Sequence, residues 1–104
     1  MIKKRMSIAM YTIAVKFKCF DNKREEYIEL LSKEGIIDDI RNEEGCLSYE
    51  YYFSQSDKNL ILLVEKWDKK ESQVKHIDLP HTKRMLGFKG DYVESTEIIE
   101  FTMV

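Results

Sequence analysis

Cys46-Leu47-Ser48-Tyr49-Glu50-Tyr51-Tyr52-Phe53-Ser54, a polar break over Gln55-Ser56-Asp57-Lys58-Asn59, then Leu60-Ile61-Leu62-Leu63-Val64-Glu65-Lys66-Trp67: these 22 residues decide the fold. Leu47, Tyr49, Tyr51 and Phe53 alternate with Ser48, Glu50 and Tyr52, and that period of two puts each set on one face of a strand. The polar break suits a hairpin connection. The run Leu60 to Val64 is apolar at every position, so the second strand of the hairpin is expected to be buried on both faces.

Upstream of the hairpin, Ser7 to Cys19 is rich in β-branched and aromatic residues and reads as a first strand. Asp21 and Asn22 offer N-cap chemistry, and Glu25 stands three residues after Asn22 as in a capping box. A helix is expected from Lys23 to Ile40, with Gly35 as a break or kink, and Asn42-Glu43-Glu44-Gly45 as the polar turn into the hairpin. Downstream, a short helix covers Lys69 to Asp78. Pro80 ends it or opens a second segment carrying Met85, Leu86 and Phe88. A last strand covers Tyr92 to Met103.

The order is β-α-β-β-α-β. This predicts an α+β, ferredoxin-like antiparallel sheet with its helices on one face, in a single domain spanning residues 1–104. The helices cannot cover the other face, and the third strand has few polar residues to present there. A second copy packed on that face solves the problem, so a symmetric homodimer is expected.

The chain has 104 residues, 43% hydrophobic and 35% charged, the composition of a globular domain rather than a disordered one. Seventeen basic against nineteen acidic side chains give a net charge of −2, which argues against nucleic acid as a partner. No apolar run approaches the length of a bilayer span, so no membrane partner is expected. The basic then apolar start, Met1 to Val15, has the outline of a signal peptide. Ser7, Tyr11 and Thr12 dilute its apolar region, Lys16 and Lys18 stand where a cleavage region would be, and a cytoplasmic location is the expectation. Cys19 and Cys46 are too few for a disulfide scaffold and match no zinc pattern.

Three motifs go beyond fold. They are Glu43-Glu44-Gly45-Cys46-Leu47-Ser48-Tyr49, Glu65-Lys66-Trp67, and His76-Ile77-Asp78-Leu79-Pro80-His81. In this order and spacing they resemble the antibiotic biosynthesis monooxygenase family, in particular its quinol-monooxygenase-like branch. The resemblance covers nearly the whole chain. It implies a dimeric α/β-barrel of two packed sheets, with a pocket in each subunit between sheet and helices. It also implies one of several activities: oxygenation of quinols or phenols without flavin, haem or metal, degradation of haem, or isomerisation of a phosphorylated sugar. The haem-degrading branch fits poorly. It uses an Asn on the first strand, absent here, and a Trp and a His where this chain has His76 and Leu86.

No glycine-rich dinucleotide motif or P-loop is present, so no cofactor is expected. His76 and His81, five residues apart, would diverge by about 140° on one helix, which argues against a shared metal. Cofactor-free oxygenation needs an electron-rich phenolate, a dry aromatic pocket and a base. Histidine suits the proton removal. The catalytic candidates are therefore His76 or His81, with Glu65 orienting a histidine or a substrate hydroxyl. Tyr49, Tyr51, Trp67 and Met85 are the candidate lining for a small aromatic substrate. Cys46 reads as a small buried residue rather than a nucleophile. The alternative is a non-oxygenating relative: an isomerase of a small carbonyl compound or phosphorylated sugar, or a ligand-binding module. A phosphorylated ligand would call on Lys83, Arg84 or Lys89.

Overall fold

The computed structural model describes residues 10–102. The expectation of a strand from Ser7 and the reading of the basic N-terminus fall partly on residues 1–9, outside that range, as does Met103 at the end of the last expected strand. The elements are β1 (Tyr11–Cys19), α1 (Arg24–Lys33), α2 (Ile36–Arg41), β2 (Cys46–Phe53), β3 (Leu60–Trp67), α3 (Lys70–Ile77), α4 (Pro80–Lys89) and β4 (Val93–Thr102). The four strands form one sheet in the order β2-β3-β1-β4, with every neighbouring pair antiparallel. This is the ferredoxin-like α+β arrangement, with the helical regions divided at Gly35 and Pro80, the two positions the sequence marks.

The first division is made by Gly35. Its φ of +73° ends α1 and starts α2 in a new direction, a conformation that costs a residue with a side chain more than it costs glycine. The second is made by Pro80 at the start of α4, where its missing N–H is not needed. The expected capping box at Asn22 and Glu25 does not form. Asn22 takes φ +65° as a turn residue, Lys23 becomes the cap position without a side-chain bond, and Glu25 accepts from Arg24 Nε at 2.8 Å instead. Arg24 Nη1 also donates to the carbonyls of Ser54 (3.1 Å) and Asp57 (3.0 Å), tying α1 to the hairpin.

Helices and sheet enclose one core. Tyr27, Leu31, Ile36 and Ile40 from α1 and α2 pack on Tyr49, Ile61, Leu63 and Trp67 from β2 and β3. Each such burial stabilises the fold by about 1.5–3 kcal/mol. On β3, Ile61, Leu63, Glu65 and Trp67 are buried under the helices, while Leu60, Leu62 and Val64 are half-buried on the outer face. The two-faced burial expected of this run is therefore complete on one side and partial on the other. The alternation expected of β2 is broken at its start. Cys46 pairs with Trp67 and Ser48 with Lys66, so Leu47 is left out of register as a bulge and stands 55% exposed, away from the face of Tyr49.

Candidate active site

A cavity of about 210 Å³ lies between the helix-facing side of the sheet and α3 and α4. Ile13, Val15 and Phe17 of β1 and Leu63 of β3 form its floor, and Tyr49, Glu65, His76 and Met85 complete the wall. Ile77, Leu86 and Ile98 also line it yet are 44%, 49% and 65% exposed, so they mark an apolar mouth.

Four of the seven candidate residues thus line the cavity: Tyr49, Glu65, His76 and Met85. Tyr51, Trp67 and His81 do not. Tyr51 is held behind Tyr49 by a hydroxyl–hydroxyl contact of 3.2 Å and borders a separate surface cleft with Ile28, Asp38 and Arg41. Trp67 is fully buried; its Nε1 donates to Glu65 Oε1 at 3.0 Å, and its ring lies 5.1 Å from that of His76. It positions two cavity residues instead of touching the space itself. His81 lies on the other side of a carboxylate that the sequence pattern places only in a turn.

That carboxylate is Glu43. Its Oε2 lies 2.8 Å from His76 Nδ1 and 2.6 Å from His81 Nε2. The side chains of Glu43 and His76 are each 5% exposed and that of His81 is 18%. The expected divergence of the two histidines assumes one continuous helix. Pro80 breaks that helix, places His76 on α3 and His81 on α4, and lets both imidazoles reach one oxygen. Glu43 can approach α3 because Gly45 stands two residues on, at φ +87°, where a Cβ would run into Ser72 and Asp68. The Gly45 carbonyl also accepts from Asp68 N at 2.8 Å.

A carboxylate only accepts, so with Glu43 ionised both facing nitrogens carry protons. His76 then donates from Nδ1, and Thr82 Oγ1, 3.3 Å from it, is a second acceptor. The unprotonated nitrogen of His76 is Nε2. Among the described residues nothing partners Nε2, and no buried side-chain nitrogen or oxygen lacks a partner. His76 Nε2 is therefore not fully buried, and His76 is one of the residues that line the cavity. Glu65 lines the same cavity, and Trp67 engages only its Oε1. Burial pushes Glu65 up to about 7, with the nearby Glu43 charge adding to the rise and the Trp67 bond opposing it. A carboxyl displaced toward neutral pH and an imidazole thus line one apolar space.

Glu43, His76 and His81 are also, among the described residues, the one cluster of three groups with metal-ligand chemistry. Their arrangement is that of hydrogen bonds. Donors around a tetrahedral metal at 2.0–2.1 Å stand about 3.3 Å apart, against 2.6 and 2.8 Å here. Burial pushes both the Cys19 and Cys46 thiols up, which keeps them from being ready nucleophiles. Lys89 lines the cavity, whereas Arg84 turns outward to the Glu34 carbonyl at 2.8 Å.

A small α+β chain with a cavity of this kind between sheet and helices belongs to a recognisable class. The chain is a member of the antibiotic biosynthesis monooxygenase family, whose model matches residues 10–86. It is 30% identical over 69 residues to the uncharacterized protein sll1783 of Synechocystis sp., a match covering 66% of this chain and 46% of that protein. This chain therefore spans about half the length of that relative. Among solved structures it is similar to protein SO0527 from Shewanella oneidensis, with a TM-score of 0.81, 22% identity and 90% of each chain covered. It is also similar to PA3566 from Pseudomonas aeruginosa, with a TM-score of 0.79, 20% identity, and 96% of this chain and 98% of that one covered. A third structure, described as an antibiotic biosynthesis monooxygenase, has a TM-score of 0.78 at 15% identity and covers 90% of this chain and 98% of its own. At these identities the structural likenesses speak for the fold alone.

Proposed function

We propose that this protein is a cofactor-independent monooxygenase that oxidises a small quinol or phenol with O2, using His76 as the base. The observation that carries the reading is that His76 and Glu65 line one apolar cavity, with Glu43 behind the imidazole. Family membership supports the class of reaction, and the quinol-type substrate is our own extension of it.

The chemistry is built from these residues. A phenol in the cavity gives its proton to His76 Nε2, and the Glu43 carboxylate stabilises the imidazolium that forms. His81 Nε2 donates to the same carboxylate from its other side and holds it in place. Glu65, in its protonated form, donates a hydrogen bond to a substrate oxygen. The phenolate transfers one electron to O2, and the phenoxyl radical and superoxide combine at a ring carbon bearing hydrogen. The resulting peroxide takes up a proton and loses water, leaving a carbonyl. One oxygen atom enters the ring and the other leaves as water.

The phospho-sugar alternative draws less support. Of Lys83, Arg84 and Lys89, Lys89 alone lines the cavity. For the assembly, we propose a homodimer with a second copy on the outer sheet face. Half-buried Leu62 and Val64 and exposed Tyr52 and Ile99 give that face an apolar strip. No described helix is long and apolar enough to cross a membrane, and two free thiols are compatible with a reducing cytoplasm.

The test is oxygen uptake by metal-stripped protein over hydroquinones and dihydroxynaphthalenes. We expect uptake above the autoxidation blank and a loss of about 10²-fold or more in His76→Ala. Equal turnover in the variant would remove His76 as the base, and no uptake across the panel would remove oxygenation.

A further inference from the structure

The cavity has a second polar end. Lys89 sits in the last turn of α4, where a lysine would ordinarily reach into solvent beside the helix C-terminus. Here it turns inward. It lines the cavity, and its Nζ lies 5.0 Å from the centroid of the Phe17 ring, which lines the same space. Thr96, paired with Phe17 across β1 and β4, lines the cavity at this end as well.

The other end is marked by Glu65, which pairs with Ile13. Ile13 and Phe17 are four residues apart on one face of β1, so the two ends are separated by roughly 13 Å of strand. Between them Val15, Leu63 and Ile98 offer only hydrocarbon. No carboxylate of a described residue lies within ion-pairing distance of Lys89. Burial draws its pKa below the ordinary lysine value, the response of a cation that has lost water without gaining an anion. A partly desolvated, unpaired cation is unfavourable in the empty protein and is relieved by a bound anion.

We propose that the ligand of this cavity is an aromatic molecule with an anionic group, a carboxylate or its like, which seats against Lys89 while its hydroxyl faces His76 and Glu65 at the other end. The inference rests on the cavity being the substrate site and narrows the substrate class within that reading. Uncharged quinols then lack one of the two anchors, and the cation sets the direction in which the ring enters.

The probe is 6-hydroxy-2-naphthoate, whose hydroxyl and carboxylate stand at opposite ends of two fused rings. Its methyl ester is the neutral control. Binding of each is measured by titration calorimetry to the whole protein, to Lys89→Met and to Lys89→Arg, with circular dichroism to verify that both variants fold. We expect the acid to bind at least tenfold more tightly than the ester. Lys89→Met should abolish that difference while leaving the ester unchanged, and Lys89→Arg should keep it. Equal binding of acid and ester, a preference that survives in Lys89→Met, or binding of neither probe at millimolar concentration would overturn the proposal. The measurement involves no oxygen chemistry. A failed oxygen-uptake panel that includes carboxylated hydroquinones, alongside a Lys89-dependent preference, would reject the reaction and keep the anion site.

Discussion

Glu65→Gln should make the protein more stable at pH 8 and alter it far less at pH 5. The amide retains an oxygen to accept from Trp67 Nε1, as Glu65 Oε1 does at 3.0 Å, and cannot ionise. In the folded protein the carboxyl is pushed from 4.5 up to about 7, chiefly by burial. The native state therefore holds more protons than the unfolded chain between about pH 4.5 and 7. Stability from this group is complete below the unfolded value, falls as pH rises through the window, and levels off above about 7. The side chain is 5% exposed, so solvent screening takes little from the effect. The rise corresponds to about 3 kcal/mol at one pKa unit per 1.36 kcal/mol. The other displaced groups titrate elsewhere: Glu25, Asp57 and Glu100 are lowered, and Tyr11 is raised to about 12. Urea unfolding of both proteins at pH 5, 6, 7 and 8, at one fixed protein concentration, measures the difference directly. Wild type should lose about 2.5 kcal/mol relative to the variant across that range, the first ~0.8 kcal/mol having been lost already at pH 5. A difference that stays flat to within about 0.5 kcal/mol would show that Glu65 ionises freely, and the neutral donor in the proposed chemistry would go with it.

Glu43→Gln should lower oxygen uptake about 10²-fold with little change in substrate affinity, because a neutral amide cannot stabilise the imidazolium that forms on His76; steady-state kinetics separating kcat from KM would reveal a purely structural effect if KM alone moved. Gly35→Ala should cost about 1 kcal/mol in denaturant unfolding and leave the cavity alone, since the penalty is the left-handed backbone and nothing stands within 4 Å of the new methyl group. Gly45→Ala should cost more and impair turnover too, because its methyl group meets Ser72 and Asp68 beneath the turn that carries Glu43. Light scattering should give twice the 12.4 kDa chain mass, and Val64→Glu on the outer sheet face should return the protein to one copy; a wild-type monomer would refute the proposed assembly.

The succession of strands and helices along the chain was legible because period-two patterns and turn residues act locally. Tyr49 falls on the buried face that alternation assigns it, and Pro80 opens α4 as its chemistry requires. Leu47 was misplaced because a bulge adds one residue to one strand, and nothing in the local pattern announces it. The capping box failed for a similar reason, since Asn22 satisfies the tight turn before α1 in place of a cap. Of the site, His76, Glu65, Tyr49 and Met85 could be named from residue type and spacing. Glu43 belongs to a motif but reads as part of a polar turn, because its partners lie 33 and 38 residues away. The two histidines were kept apart by an argument from helical angle, valid within one helix and void across a proline. Lys89 carried a signal only as one basic residue among three. Its inward turn depends on tertiary packing over Phe17, far earlier in the chain.

The alternation along β3 divides the protein's obligations between two surfaces. Ile61, Leu63 and Glu65 belong to the chemistry side, and Leu62, Val64 and Lys66 to the side that faces away from it. A single polypeptide layer separates them, and every residue in it answers to one side alone. Odd positions can drift to suit a different ring or a different charge without altering what the even positions recognise. Even positions can exchange one assembly for another without touching the cavity floor. Inheritance can thus act on the two properties one at a time. Deletion of a single β3 residue is the change that strikes both at once, since it would exchange the two faces along the strand beyond it.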